Sequence, residues 1–181
     1  MLTVSRVMHR PNLAGALLRR LPTVALDWDE RCRSRFEAHD SSGQRLGVFL
    51  PRGTVVRGGD VLVGEGGEMI LVQARPQALM RVTTCPEHGS PFDLVRAAYH
   101  LGNRHVQLEL RADHLQFEPD HVLADMLRGL HLIVNEVLAP FEPEGGAYAA
   151  GAHSHSHGHD QDHDHSHGDG HTHHPGCGHD H

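Results

Sequence analysis

The sequence predicts an α+β protein: a small all-β domain of sandwich or barrel type, a ferredoxin-like βαββαβ domain, and a disordered His-rich tail. Short strand patterns fill the first half, two helical patterns lie among strands in the second, and the tail lacks Val, Ile, Leu, Met and aromatic residues. The predicted boundaries are 1–74 and 75–139 for the two domains, 140–152 for a linker and 153–181 for the tail.

About half a dozen strands are predicted in the first domain. Their segments are LTVSRV, TVALDW, RCRSRFEAHD, QRLGVFL and the two arms of DVLVGEGGEMILVQA. Turn residues in DSSGQ and GEGGE and the loop PRGTVVRGGD separate them. Strands of this length and spacing are typical of a small sandwich or barrel, and an exposed edge strand could accept a segment of a partner.

The second domain begins with a strand, QALMRVTT, and continues with a helix from Ser90 to Leu101. Pro91 favours the first turn, and apolar residues recur at helical spacing. We expect Gly102 and Asn103 to end the helix, because both tolerate the left-handed conformation found at helix ends. Two strands, VQLEL and HLQFE, then follow around the turn RAD.

A second helix, DHVLADMLRGL, is predicted after Pro119, with a buried apolar stripe that begins at Val122. A last strand, HLIVNEVL, is predicted to start at His131. The resulting order of elements, β-α-β-β-α-β, is that of ferredoxin-like domains.

The tail is predicted to bind metal ions. Its 29 residues hold 12 of the 20 histidines and 5 of the 23 acidic residues, with too few apolar groups to offset the entropy of ordering. Neutral imidazole binds Ni²⁺, Zn²⁺, Cu²⁺ and Co²⁺. The histidines alternate irregularly with Asp and Gly, unlike the uniform run of histidines in a purification tag. The candidate ligands are His153, His155, His157, His159, His163, His165, His167, His171, His173, His174, His179 and His181.

Composition excludes several other classes of protein. The chain has 16 basic and 23 acidic residues and a formal charge of −7, so no nucleic-acid partner is expected. No apolar run is long enough for a membrane span, and the cytoplasm is the expected compartment. The sequence contains no H-E-x-x-H, P-loop, G-x-G-x-x-G or G-x-S-x-G motif, so an enzyme is not expected.

The three cysteines have no C-x-x-C spacing, which argues against a disulfide framework. We interpret Cys32 and Cys85 as ordinary small residues of the fold, whereas Cys177 lies among tail histidines and could join a metal site.

His105, in YHLGNRHVQLEL, follows the end of a predicted helix at the point where the chain enters a strand. One histidine cannot form a tight metal site, but a two-fold dimer would present His105 twice across its axis. A solvent-exposed structural role remains the alternative for every histidine of the body, including His105. The others are His9, His39, His88, His100, His114, His121 and His131.

The segments DLVRAAYHLGNRHVQLEL, EPDHVLADMLRGL and PFEPEGGAYAAGAHSHSHGH, in this order, resemble the UreE family of nickel-delivering urease accessory proteins. GVFLPRGTVVRGGDVL is similar to the first domain of that family. The resemblance implies a peptide-binding type of N-terminal β domain and a ferredoxin-like domain that forms homodimers. It also implies that two copies of His105 bind Ni²⁺ at the dimer interface, with tail histidines completing the coordination.

The resemblance further implies two partners, the urease apoprotein and the GTPase urease accessory protein. Some family members carry an H-x-H pair at the start of the second helix, where this chain has Pro119, Asp120 and His121. Only His121 is retained, so an auxiliary metal site there should be weak or absent.

The alternative function is storage or buffering of Ni²⁺, Zn²⁺ or Cu²⁺ by the tail alone, and it predicts that removing residues 153–181 abolishes all metal binding.

Overall fold

The N-terminal half of the protein forms one six-stranded sheet in the computed structural model, which describes residues 1–145. The strands are β1 (Leu2–Met8), β2 (Thr23–Leu26), β3 (Arg35–His39), β4 (Arg45–Phe49), β5 (Val61–Gly64) and β6 (Met69–Ala74). Their order is β2-β6-β5-β1-β4-β3, with β1 parallel to β4 and β2 parallel to β6. The prediction of half a dozen strands is therefore confirmed.

Two short helices interrupt this sheet. They are α1 (Gly15–Leu18) and α2 (Trp28–Arg31). The predicted strand TVALDW was wrong at its end, because the Asp27 carboxylate accepts a hydrogen bond from the Glu30 N–H at 2.9 Å. The Glu30 carboxylate accepts one from the Asp27 N–H at 3.0 Å, and this capping box starts a helix at Trp28. The strand predicted over RCRSRFEAHD consequently begins only at Arg35.

The C-terminal half has the predicted β-α-β-β-α-β order. Its elements are β7 (Gln77–Thr83), α3 (Pro91–Gly102), β8 (Glu109–Leu110), β9 (Leu115–Phe117), α4 (His121–Gly129) and β10 (Ile133–Ala139). The sheet order is β10-β7-β9-β8, and each neighbouring pair is antiparallel. The α+β class with a ferredoxin-like second half is confirmed, although the strand predicted over VQLEL contains only two residues.

Both helices bury one face against this sheet. Leu94, Ala97 and Leu101 of α3 share a core with Ala124 and Leu127 of α4 and with apolar side chains of the strands. The stripe predicted for α4 was partly wrong, since Val122 is 63% exposed. Val122 is the second residue of α4, two residues after the Asp120 cap, and its exposure places it on a side that faces away from the sheet.

The two sheets share a junction built around Trp28. Its ring packs edge to face on Phe141 with 6.1 Å between ring centroids, in a small core that also contains Leu79. Arg31 is fully buried there, donates to the Phe141 carbonyl and lies 2.5 Å from a Glu142 carboxylate oxygen. Burying a charge has a large desolvation cost, which these two partners offset.

Within residues 1–145, no helix is long and apolar enough to cross a membrane.

Candidate metal centre

His105 occupies a defined position at the end of α3. The His105 N–H donates to the Gly102 carbonyl at 2.9 Å, and the Val106 N–H donates to the Leu101 carbonyl at 3.2 Å. This pair of bonds is a Schellman motif, in which the residue after the cap adopts a left-handed conformation. His105 is that residue, with φ of 57°, and its side chain is exposed.

Gly102 and Asn103 end the helix as expected, but neither residue adopts the left-handed conformation that was the reason for expecting them there. Gly102 is the last helical residue and Asn103 has an ordinary helical φ of −62°. The Asn103 N–H still donates to the Tyr99 carbonyl, at 3.0 Å, so the backbone keeps its helical conformation at the cap. The change of direction falls on His105, four residues before β8 begins at Glu109. A backbone held by two hydrogen bonds thus fixes where the imidazole leaves the chain.

An exposed apolar stripe runs along α3 toward His105. Phe92, Val95 and Tyr99 are 63%, 60% and 66% exposed, and their spacing places them on one side of the helix. The apolar residues of α3 therefore cover two sides of the helix, one buried against the sheet and one exposed as this stripe. Large exposed apolar surfaces of this kind mark contacts with another protein.

His121, the second candidate ligand of the body, is the exposed first residue of α4. His105 lies shortly before the first residue of β8, and His121 lies shortly after the last residue of β9. These two strands are antiparallel, so the start of β8 and the end of β9 are at the same end of the sheet, and both histidines lie there. Within residues 1–145, however, no three His, Cys, Asp or Glu side chains gather closely enough to hold an ion. The candidate ligands of the tail, from His153 to His181, lie outside the described residues.

The segment that leads to the tail is fixed close to His105. The Glu144 N–H donates to the carbonyl of Leu108 at 2.9 Å, and Leu108 lies three residues after His105 in the chain. At the first residue of β8, the buried Glu109 carboxylate accepts a hydrogen bond from the Glu142 N–H at 2.7 Å. The chain therefore leaves the described part of the protein beside the loop that carries His105.

The remaining histidines of the body have varied surroundings. The His9 Nδ1 donates to the buried Asp60 carboxylate at 2.9 Å, so His9 is not the freely solvated residue that the sequence indicated. His114 is similarly placed 2.8 Å from Asp113. His131 does not start a strand as predicted: it adopts a left-handed φ of 63°, and β10 begins two residues later.

Cys85 and His88 lie together, although their sequence contexts were interpreted separately. The Cys85 Sγ is 3.9 Å from the His88 Nδ1. The C-x-x-H spacing of CPEH is the signal that would have connected them.

The chain is similar to two protein-family models that together span almost all of it. "UreE urease accessory protein, N-terminal domain" matches residues 4–75, and "UreE urease accessory protein, C-terminal domain" matches residues 77–181. A relative from Paracidovorax citrulli is 69% identical over 154 residues, which are 84% of this chain and 73% of the relative. A relative from Albidiferax ferrireducens is 60% identical over 182 residues and is matched over 100% of both chains. Both relatives are named urease accessory protein UreE.

These likenesses define an accessory, chaperone-type protein and not an enzyme. The chain belongs to the UreE family of urease accessory proteins, and its role lies in urease maturation. The resemblance inferred from the sequence motifs is confirmed.

Proposed function

We propose that this protein is a nickel metallochaperone that binds Ni²⁺ at a homodimer interface and delivers it to the urease apoprotein. The observation that carries the proposal is His105, held by its Schellman motif at the end of the exposed apolar stripe of α3. If the stripe is covered by a second copy, the two His105 side chains are brought to a shared axis. A pair of imidazoles there provides two nitrogen ligands for Ni²⁺.

The tail histidines supply and complete this site in the proposal. Many weak imidazole sites on one chain raise the local concentration of Ni²⁺, and ions pass to the His105 pair by exchange of ligands. Release follows when a partner offers better ligands or when the imidazoles become protonated. Because single chains provide no group of three ligands within residues 1–145, the ion stays exchangeable, as delivery requires.

The proposed partners are the urease apoprotein complex and the GTPase urease accessory protein, and the proposed compartment is the cytoplasm. His121 is proposed as a minor, auxiliary ligand, because its ring is exposed at the His105 end of the sheet. Zn²⁺ and Cu²⁺ bind the same imidazoles and compete with Ni²⁺. The proposed division is a partner-binding β domain at 1–74, a metal-binding domain at 75–139, a linker at 140–152 and a metal-binding tail at 153–181.

A calorimetric nickel titration of the chain shortened after Ala152 tests the proposal. We expect one tight Ni²⁺ per two chains, and we expect His105→Ala to remove it. His39→Ala, an exposed histidine of β3, is the matched control and should leave binding unchanged. Absence of tight binding in the shortened chain would favour the alternative, a general divalent-metal storage or buffering protein that acts through the tail alone.

A further inference from the structure

The loop between β1 and β2 is long, basic and little buried. Residues 9–22, which we call the arginine loop, contain three arginines, one histidine and four leucines, but no Asp or Glu. The short helix α1 lies in this loop and buries none of its residues. Within residues 1–145, no apolar core includes a leucine of the loop. Long surface loops that contribute nothing to a core usually carry binding residues, so this loop is a candidate for contact with a partner.

Arg10, at the start of the arginine loop, is held in an unusual backbone conformation. Its φ of 39° is left-handed, which is unfavourable for a residue with a side chain. The Arg10 N–H donates to the fully buried Asp60 carboxylate at 3.0 Å, and this bond stabilises the strained conformation. Strained residues of this kind are concentrated at functional sites, and here the backbone fixes where the Arg10 side chain leaves the chain.

Arg10 lines a cleft of about 470 Å³. Residues 142–145, which lead toward the tail, line the same cleft. Clefts that bind ligands in proteins have volumes of about 300–1,000 Å³, so this one can take a short segment of peptide.

The buried acidic groups of this cleft are already neutralised, whereas Arg10 is not. The Asp60 carboxylate accepts hydrogen bonds from the N–H groups of Arg10 and Arg57, and a third from the His9 ring at 2.9 Å. The Glu142 carboxylate pairs with two arginine side chains, at 2.5 and 3.4 Å. Within residues 1–145, the Arg10 guanidinium makes no ion pair. The cleft therefore presents an unpaired cation.

We propose that the cleft binds an acidic peptide segment of a partner protein, with a carboxylate of the segment paired to Arg10. A guanidinium binds a carboxylate through two parallel N–H···O bonds, which suits Arg10 to this ligand. Arg19 and Arg20 also make no ion pair in the part of the chain that the structure describes, and they extend the same positive charge along the loop. The proposal rests on the partner-binding role proposed for residues 1–74, and it gives that role a place and a chemistry.

Other anionic ligands suit the arginine loop less well. A membrane surface requires a larger apolar helix face than the four residues of α1 provide. Single-stranded nucleic acid binds by stacking on aromatic side chains, and the loop contains no Phe, Tyr or Trp. Its leucines, of which Leu17 is 39% exposed, instead suit apolar side chains that flank the acidic residues of a peptide.

The test measures the binding of a short fluorescein-labelled peptide that alternates Glu with Gly around a central Leu. A matched peptide has Gln in place of each Glu. The full chain is kept free of metal with a chelator, so that the tail cannot bind the peptide through a metal ion. Fluorescence anisotropy at low salt should show about tenfold tighter binding of the Glu peptide, and added salt should weaken that binding.

Three substitutions in the full chain locate the ligand. Arg10→Gln keeps the backbone hydrogen bond to Asp60 and should weaken binding of the Glu peptide about tenfold, or about 1.4 kcal/mol. Arg35→Gln removes an exposed arginine of β3 and should leave the affinity unchanged. Glu144 is an exposed acid at the cleft and repels the peptide, so Glu144→Gln should tighten binding about twofold.

Equal affinities of Arg10→Gln and Arg35→Gln for the Glu peptide would overturn the cleft as the site, and so would weaker binding by Glu144→Gln. Equal binding of a single-stranded DNA with the same charge as the peptide would show a general polyanion surface and would overturn a peptide ligand. Arg10→Gln should leave the nickel titration of the chain unchanged, so failure of the cleft is distinguishable from failure of the nickel proposal. Circular dichroism verifies that each variant is folded.

Discussion

His105 and His131 occupy the same position in two Schellman motifs, one at the end of each helix of the ferredoxin-like half. Their φ angles are 57° and 63°, both left-handed. The His131 N–H donates to the Arg128 carbonyl at 3.0 Å, and the next N–H donates to the Leu127 carbonyl at 3.2 Å, as in the motif that contains His105. Glycine is the usual residue at such a position, because a side chain there costs about 1 kcal/mol.

His105→Gly and His131→Gly should therefore each stabilise the fold by about 1 kcal/mol, through relief of the left-handed conformation. Only His105→Gly should remove tight nickel binding. Urea unfolding of both variants, with a nickel titration of each, makes the comparison. Equal nickel binding by the two variants would show that His105 is kept for a reason other than metal.

Phe92→Asp and Tyr99→Asp should convert a dimer to a monomer. A carboxylate placed in a buried apolar interface loses its hydration without gaining a partner. Light scattering after size exclusion measures the mass directly. The control is Phe49→Asp, at a 49% exposed position of the six-stranded sheet. Dimers that persist in both α3 variants would exclude the stripe as the interface.

Glu142→Ala should destabilise the protein by about 3 kcal/mol, because it leaves the fully buried charge of Arg31 without its carboxylate partner. Glu37→Ala breaks the pair with Arg45 at a similar distance of 2.6 Å, but both side chains are more than half exposed. The free energy of unfolding of this control variant should fall by less than about 1 kcal/mol. Chemical denaturation of both variants gives the two values, and comparable losses would contradict the buried character of the junction.

Asp27→Ala should cost about 1 kcal/mol at neutral pH, through loss of the helix cap. Burial works to raise the pKa of Asp27, but hydrogen bonds from the Glu30 N–H and from Arg75 outweigh it and hold the pKa below its ordinary 3.8. The ionised Asp27 carboxylate therefore stabilises the folded state fully at any pH above the pKa that Asp27 has in the unfolded chain. This stabilisation is lost as the pH falls through the lower pKa that Asp27 has in the folded protein.

The difference in unfolding free energy between the parent and Asp27→Ala should hence narrow below about pH 4. The control is Asp125→Ala, which removes a 72% exposed carboxylate paired with Arg128. Its difference in unfolding free energy from the parent should change little with pH. A difference for Asp27 that is constant with pH would contradict the charge-based part of the cap.

Apolar periodicity predicted the order of strands and helices because each element of the second half buries one side against a common core. It did not distinguish the side of α3 that faces the sheet from the stripe that includes Phe92 and Tyr99, since both are apolar. The short helix at Trp28 was predictable in principle, because DWDE has the spacing of a capping box.

The left-handed conformation of His105 could not be predicted from the sequence, which suggested Gly102 and Asn103 as the residues that tolerate it. The outcome depends on which carbonyls the last N–H groups reach, and therefore on how Leu101 and Val106 pack against the sheet. The junction at Arg31 was equally hidden, because its partner Glu142 is 111 residues away in the chain.

The hydrogen bond between Glu144 and Leu108 has a consequence for the reach of the tail. It anchors a tether whose first histidine, His153, is nine residues further along. Nine extended residues span at most about 30 Å, so His153 is confined to a small volume around the loop that contains His105. A ligand so tethered has an effective concentration in the millimolar range, whatever the concentration of the protein. In the proposed function, shortening or lengthening residues 145–152 should therefore change the transfer of metal to His105 while every ligand is kept.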